Sequence, residues 1–181
     1  MLVKIKNFDQ FINESNQVYE YGCAMVYFDF PEMKDLHSQI DEAEVYSDPE
    51  DPTFGLETEP HITLLFGLHS NEIPDEKVMS LCKQKQIGSI SLSNASIFSN
   101  EKYDVLKLDA ENSVLHEINA DLSKLPHTTS FPDYHPHATI AYLKPSSGQK
   151  YADLFAGKKF QVTPKMVVYS KPNGSKLQES I

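Results

Sequence analysis

The 181-residue chain predicts an α+β fold made of two related halves facing one cleft. Three observations carry this. β-prone runs alternate with amphipathic helical stretches. The order strand, helix, loop, His-containing strand, helix, strand occurs twice, which is the mark of a duplicated unit. The two copies also share nearly the same central wording, Pro60-His61-Ile62-Thr63 and Pro136-His137-Ala138-Thr139, each running on into apolar residues and an aromatic.

The elements follow in order. Tyr21 to Phe30 is apolar and β-prone, and Pro31 opens a stretch where Met33, Leu36 and Ile40 fall at helical intervals. Residues 46–59, rich in Asp, Glu, Pro and Gly, read as a surface loop leading into the β-prone run His61 to Leu68. Pro74, Asp75 and Glu76 suit a helix start, with Val78, Leu81 and Cys82 as its buried stripe. Ile90 and Leu92 alternate with serines, and Leu106 and Leu108 alternate with Val105 and Lys107, predicting two antiparallel strands joined by a turn near Asn100. Leu115, Ile118, Leu122 and Leu125 mark another amphipathic helix, and residues 126–134 a second polar loop, leading into the run His137 to Leu143. A short helix around Tyr151 to Phe155 and β-prone segments through Phe160 and Met166 to Tyr169 complete the body. Residues 1–18 read as an N-terminal extension, with Ile5, Phe8, Phe11 and Ile12 at roughly helical spacing; residues 19–170 read as a single domain and 171–181 as a polar tail.

Composition narrows the function. With 40% hydrophobic and 10% aromatic residues the chain can bury a substantial core, which excludes a disordered protein. Sixteen Lys+Arg against 26 Asp+Glu give a net charge of -10, which repels duplex DNA and long RNA, so an anionic substrate has to be held locally. Cys23 and Cys82 sit in apolar contexts without a CxxC spacing and read as core thiols. No signal peptide or membrane-length apolar run is present, so a soluble cytoplasmic protein without a membrane partner is expected.

Chemistry concentrates in the repeated motif. On a strand, side chains alternate between faces, so His61 and Thr63 project together while Ile62 and Leu64 project the other way; His137 and Thr139 repeat this against Ala138 and Ile140. Two such strands facing one cleft gather two imidazoles and two hydroxyls around a tetrahedral phosphate. An imidazole titrating near ~6.5 can serve as base in one copy and acid in the other. Each Thr hydroxyl can donate to a nonbridging phosphate oxygen from a stiff β-branched rotamer. No metal or other cofactor is needed for this chemistry. Taken singly, either His is more often a structural hydrogen-bonding group than a catalyst; the paired context is what favours catalysis.

Zinc is a competing reading, since His135 and His137 are two apart and His61, His69 and Asp133 could join them, but the intervals fit no familiar ligand set. His37 and His116 fall within helical stretches and His127 in a loop, and none carries chemistry by its pattern. No Gly-rich phosphate loop, nucleophile elbow or metalloprotease motif occurs.

The paired Pro-His-x-Thr strands resemble the 2H phosphoesterase superfamily, and the order of elements agrees with it from about Tyr21 to Tyr169. The resemblance implies a bilobed α+β fold of two pseudo-twofold halves, with antiparallel sheets lining a central cleft and helices outside. It also implies catalytic roles for His61, Thr63, His137 and Thr139. Within the superfamily the stretches YGCAMVYFDFP (21–31), FGLETEPHITLLFGLH (54–69) and PDYHPHATIAYLKP (132–145) are similar to the anti-CBASS nucleases of tailed phages, which destroy the cyclic oligonucleotide signals of bacterial defence. That likeness implies a small cyclic nucleotide substrate with 3′–5′ linkages, cut through attack of the ribose 2′-OH and a 2′,3′-cyclic phosphate. Tyr27, on the first strand, is a candidate for stacking on a base. The alternatives are a 2H enzyme acting on 2′,3′-cyclic RNA ends or 2′–5′ linkages, and a cyclic-nucleotide sponge without turnover.

Overall fold

The computed structural model describes residues 18–131 and 133–181, so the helical spacing of Ile5 to Ile12 lies outside the described residues. In chain order the elements are β1 (Tyr21–Phe28), α1 (Met33–His37), a single 3-10 turn (Glu42–Glu44), β2 (His61–His69) and α2 (Asp75–Lys83). Then come β3 (Ile90–Ser99), β4 (Asp104–Glu111), α3 (Ser113–Leu122), β5 (His137–Leu143), α4 (Gln149–Leu154), β6 (Phe160–Val162), β7 (Pro164–Ser170) and β8 (Lys176–Ser180). Local chemistry sets the ends. Pro74 precedes α2, which carries Asp75 and Glu76 in its first turn and Lys83 in its last, each on the favourable end of the helix dipole. The Asn112 side chain caps α3 by accepting from the Val114 amide at 2.8 Å. The Asn100 side chain accepts from the Lys102 and Tyr103 amides and closes the β3–β4 turn.

The strands form one eight-stranded antiparallel sheet in the order β6-β3-β4-β5-β2-β1-β7-β8. It is two four-stranded lobes that meet at its centre, where Ile62 of β2 opposes Ala138 of β5 as the single registered pair. The lobe containing β2 is covered by α2 and α3, and the lobe containing β5 by α1 and α4. Each lobe therefore takes one helix from the other half of the chain. That helix is bonded to the strand it covers: His37 Nε2 donates to the Ile140 carbonyl at 2.9 Å, and Asn119 Nδ2 donates to the Leu64 carbonyl at 2.7 Å. Ile140 and Leu64 each stand three residues past the motif histidine, so the two bonds are related by the pseudo-twofold axis. The bilobed α+β fold expected from the paired motifs is the one found.

Strand alternation divides the sheet's faces. Ile62, Leu64, Ala138 and Ile140 are fully buried against the helices, while the motif His and Thr residues are partly open on the other face. Beyond their central pair β2 and β5 diverge, and each loop fills the gap beside one of them. Residues 45–57 lie along β5, with bridges Val45 to Leu143 and Leu56 to Ala141, and the second loop lies along β2 with a bridge from His127 to Leu68. Gly67 is required there. It has φ +92°, and a Cβ would stand 1.9 Å from the Thr128 carbonyl oxygen that the second loop lays against it.

The tail differs from its sequence reading. Residues 176–180 form β8, paired along its whole length with β7. Their polarity is that of an edge strand, whose backbone is satisfied on one side by β7 while its side chains reach solvent. Strand and helix ends also shift slightly: β1 stops at Phe28, and α1 is a five-residue helix ending at His37, with Ile40 buried just beyond it.

Candidate active site

The antiparallel pairing centred on Ile62 and Ala138 sets His61 toward Thr139 and Thr63 toward His137. The four residues singled out in the sequence thus come together on one face, two from each lobe. The two imidazoles are held in the same way. His61 Nδ1 bonds the Glu59 carbonyl at 2.8 Å and His137 Nδ1 bonds the His135 carbonyl at 2.9 Å, each two residues back at the end of its loop. A carbonyl only accepts, so both Nδ1 atoms carry the hydrogen and both Nε2 atoms are left free for proton transfer. The loops before each Pro-His therefore fix the tautomer as well as the position.

The surroundings of the two histidines differ. His61 stacks on Tyr27, with ring centroids 5.4 Å apart and planes inclined by 28°, and the Glu57 carboxylate lies 3.7 Å from its Nδ1. Lys176 of β8 reaches the hydroxyl end of Tyr27, with its ammonium 3.5 Å from the phenol oxygen and 5.7 Å from the ring centre. His137 meets the edge of Phe98 at 5.2 Å, and the Lys107 ammonium lies 4.6 Å above that ring. Lys107 sits opposite Thr139 in the β4–β5 register and Asp109 opposite His137. Lys107 is almost entirely buried and donates to Ser96 Oγ at 2.9 Å and Asp109 Oδ1 at 2.7 Å. Burial holds the His137 pKa below the usual histidine value, and the Lys107 charge pushes the same way, against the Nδ1 bond to His135. His137 is thus biased toward the neutral form, which can accept a proton.

Beneath the first lobe, Met25 lies opposite Thr63 in the β1–β2 register, in a small apolar cluster with Cys23 and Val168. Burial pushes the Cys23 thiol up to about 12, leaving a neutral group beside the Thr63 hydroxyl. Tyr134, from the second loop, donates its hydroxyl to the Thr63 carbonyl at 2.9 Å and so ties that loop to the motif strand of the opposite lobe. On the His137 side a cavity of about 480 Å³ opens, lined among others by Phe98, Lys107, Asp109, His116 and Tyr134.

The structure places His61, Thr63, His137 and Thr139 on one face with Tyr27 beside His61, and adds to them Phe98, Lys107, Asp109 and Tyr134, which no sequence pattern singled out. Aligning the two repeats around their histidines would have pointed to the strand beside each motif, though the register that brings Lys107 next to Thr139 is tertiary. The candidate zinc ligands do not assemble. Both ring nitrogens of His69 are engaged, by Glu72 at 3.0 Å and the Thr128 hydroxyl at 2.9 Å, which pins the second loop. Among the described residues no three His, Cys, Asp or Glu side chains stand together as a metal-ligand set. No helix among them is long and apolar enough to cross a membrane.

No known family signature and no curated protein matches the chain in sequence. Its fold is similar to that of Usb1 from Kluyveromyces marxianus, in a structure with uridine monophosphate, at TM-score 0.58 and 10% identity over 89% of this chain and 98% of that one. It is more distantly similar to E. coli LigT complexed with 3′-AMP, at TM-score 0.46 and 13% identity over 91% of this chain and 96% of that one. At such identity the likeness to Usb1 is one of fold, and the LigT match is looser still.

Proposed function

We propose that this chain is a two-histidine phosphodiesterase that cuts ribonucleotide linkages through the substrate's own 2′-OH. The observation that carries this is the pair of His-x-Thr motifs facing each other across the Ile62–Ala138 pair, each imidazole tethered through Nδ1 with Nε2 free. One neutral Nε2 takes the 2′-OH proton as that oxygen attacks phosphorus. The other Nε2–H protonates the 5′ oxygen as its bond to phosphorus breaks. A 2′,3′-cyclic phosphate and a 5′-OH result. Water then opens the cyclic phosphate to a 3′-phosphate with the two imidazoles in exchanged roles, which returns both to their starting protonation. Thr63 and Thr139 hold nonbridging oxygens. Intramolecular attack supplies the high effective concentration that makes a metal-activated nucleophile unnecessary.

The finer substrate has two readings. The stretches around β1, β2 and β5 that resemble anti-CBASS nucleases of tailed phages favour a cyclic di- or oligonucleotide defence signal with 3′–5′ linkages, and the net charge of -10 favours a compact ligand of that kind. The fold likeness to Usb1, seen with uridine monophosphate, favours the second, a 2′,3′-cyclic RNA end or a related linkage. Tyr27 is the proposed stacking surface for a base on the His61 side. The deciding experiment incubates the protein with 3′–5′ cyclic dinucleotides, their 2′-deoxy counterparts and a short RNA ending in a 2′,3′-cyclic phosphate, and reads products by mass. Cleavage of ribo rings only supports the first reading. Brisk opening of RNA ends beside intact rings moves the assignment to the second, equal cleavage of ribo and deoxy rings rules out 2′-OH attack, and tight binding without products makes the protein a sponge.

A further inference from the structure

The four motif residues obey a pseudo-twofold axis, so by themselves they cannot say which histidine takes the proton and which gives it. The positions beside them do not obey it. Counting from each motif, Met25 opposite Thr63 corresponds to Lys107 opposite Thr139, and Tyr27 opposite His61 corresponds to Asp109 opposite His137. A buried thioether on one side thus stands where the other side has a buried ammonium.

We propose that Lys107 is the positioning residue that makes this cleft directional: fixed by Ser96 and Asp109 under Phe98, it holds that ring against His137 and sets a cation beside that imidazole, so that the proton leaves the substrate toward His137 and returns from His61. The proposal rests on the two-histidine reading of the site.

The geometry gives each part a reason. The Lys107 side chain is 7% exposed while its partner Asp109 is 43% exposed, so solvent screens the carboxylate far more than the ammonium. The two do not cancel at His137. The charged and titratable groups that face this imidazole are Lys107 and Asp109 from β4 and His61 from β2, while the loop contributes the His135 backbone carbonyl and β3 the Phe98 ring. A proton on His137 would sit beside the least screened cation in the site. His61 has the opposite neighbour, the Glu57 carboxylate at 3.7 Å, and the first lobe's lysine, Lys176, is engaged by the Tyr27 hydroxyl at 3.5 Å and by the Glu59 carboxylate at 3.4 Å. An imidazolium at His61 therefore has a counter-ion within reach. The ammonium of Lys107 also lies 4.6 Å from the centre of the half-exposed Phe98 ring and so holds that ring at the edge of the imidazole.

The test follows each histidine by NMR titration of the substrate-free full chain, labelled at its imidazoles, in wild type, Lys107→Met and Asp109→Asn. Lys107→Met copies the first lobe and should raise the His137 midpoint by about half a pH unit or more, whereas Asp109→Asn should lower it, with His61 moving less in both. The acid limb of kcat/KM on a 3′–5′ cyclic dinucleotide should shift upward in Lys107→Met by the same amount, because the base must be neutral, whereas on RNA with a 2′,3′-cyclic end, where the roles are exchanged, the shift should appear on the alkaline limb, because His137 is then the acid. Shifts of the same sign in both variants, no shift, or a shift confined to His61 would overturn the role of Lys107. Lys107→Gln, which removes the charge but keeps a donor toward Ser96 and Asp109, carries the test with the same upward shift expected should Lys107→Met not fold. If wild type turns over neither substrate, the two-histidine reading has failed, and the titration still judges Lys107 separately.

Discussion

The two lobes use the same kit, an imidazole, an aromatic ring and a lysine, and assemble it in different orders. In the first lobe the ring of Tyr27 stacks on His61 and the lysine stands at the hydroxyl end of that ring. In the second the lysine is buried on the strand next to His137, and Phe98 meets the imidazole edge-on from one strand further out. Strand pairing preserves what both steps of the proposed reaction need, two tethered imidazoles with free Nε2 atoms. The residues one strand away are free to diverge, and their divergence can assign the roles. A duplicated scaffold thus supplies symmetric chemistry, while neighbouring registers supply direction.

Removing either imidazole should break the comparison most severely. His61→Ala and His137→Ala are each expected to lower kcat/KM by at least about a hundredfold while the far-UV circular dichroism stays native. Near-normal turnover in either variant would mean the lobes do not act as a pair.

The loops offer a structural contrast. Gly67→Ala should unfold or destabilise the protein by roughly 3 kcal/mol or more in chemical denaturation, because its Cβ would strike the Thr128 carbonyl at 1.9 Å. Gly55→Ala, in the other loop at φ +116° but with open space around the new Cβ, should cost only about 1 kcal/mol. Equal costs would show that the second loop does not press on β2 as described.

Thr63→Ala and Thr139→Ala should each cost about tenfold in kcat, less than the histidines, since each removes one donor to a phosphate oxygen. The comparison between them is informative: Thr139, opposite the Lys107 cation, should be the better tolerated loss. The smallest effect expected concerns conditions. Activity should persist in EDTA and follow a bell-shaped pH profile. With the His137 pKa depressed by burial, the neutral base form extends to more acidic pH, so the acid limb should fall below the ~6.5 of an ordinary histidine. Loss of activity in EDTA, restored by zinc, would favour a metal.

Much of the molecule was legible in the order of residues. Period-two and helical spacing located most of the elements, because burying one face of a strand or helix demands that periodicity. The duplicated Pro-His-x-Thr marked His61, Thr63, His137 and Thr139, since alternation alone puts His and Thr on one face of each strand. The tail was misread because an edge strand with one solvated face and no apolar alternation looks like a loop until β7 is found beside it. The exchange of helices between halves, the Ile62–Ala138 contact that sets the two motifs against each other, and the placing of Lys107 opposite Thr139 were decided by tertiary structure. Each depends on registers between segments far apart in sequence, and a register is chosen by the summed burial of whole faces, which no local pattern records.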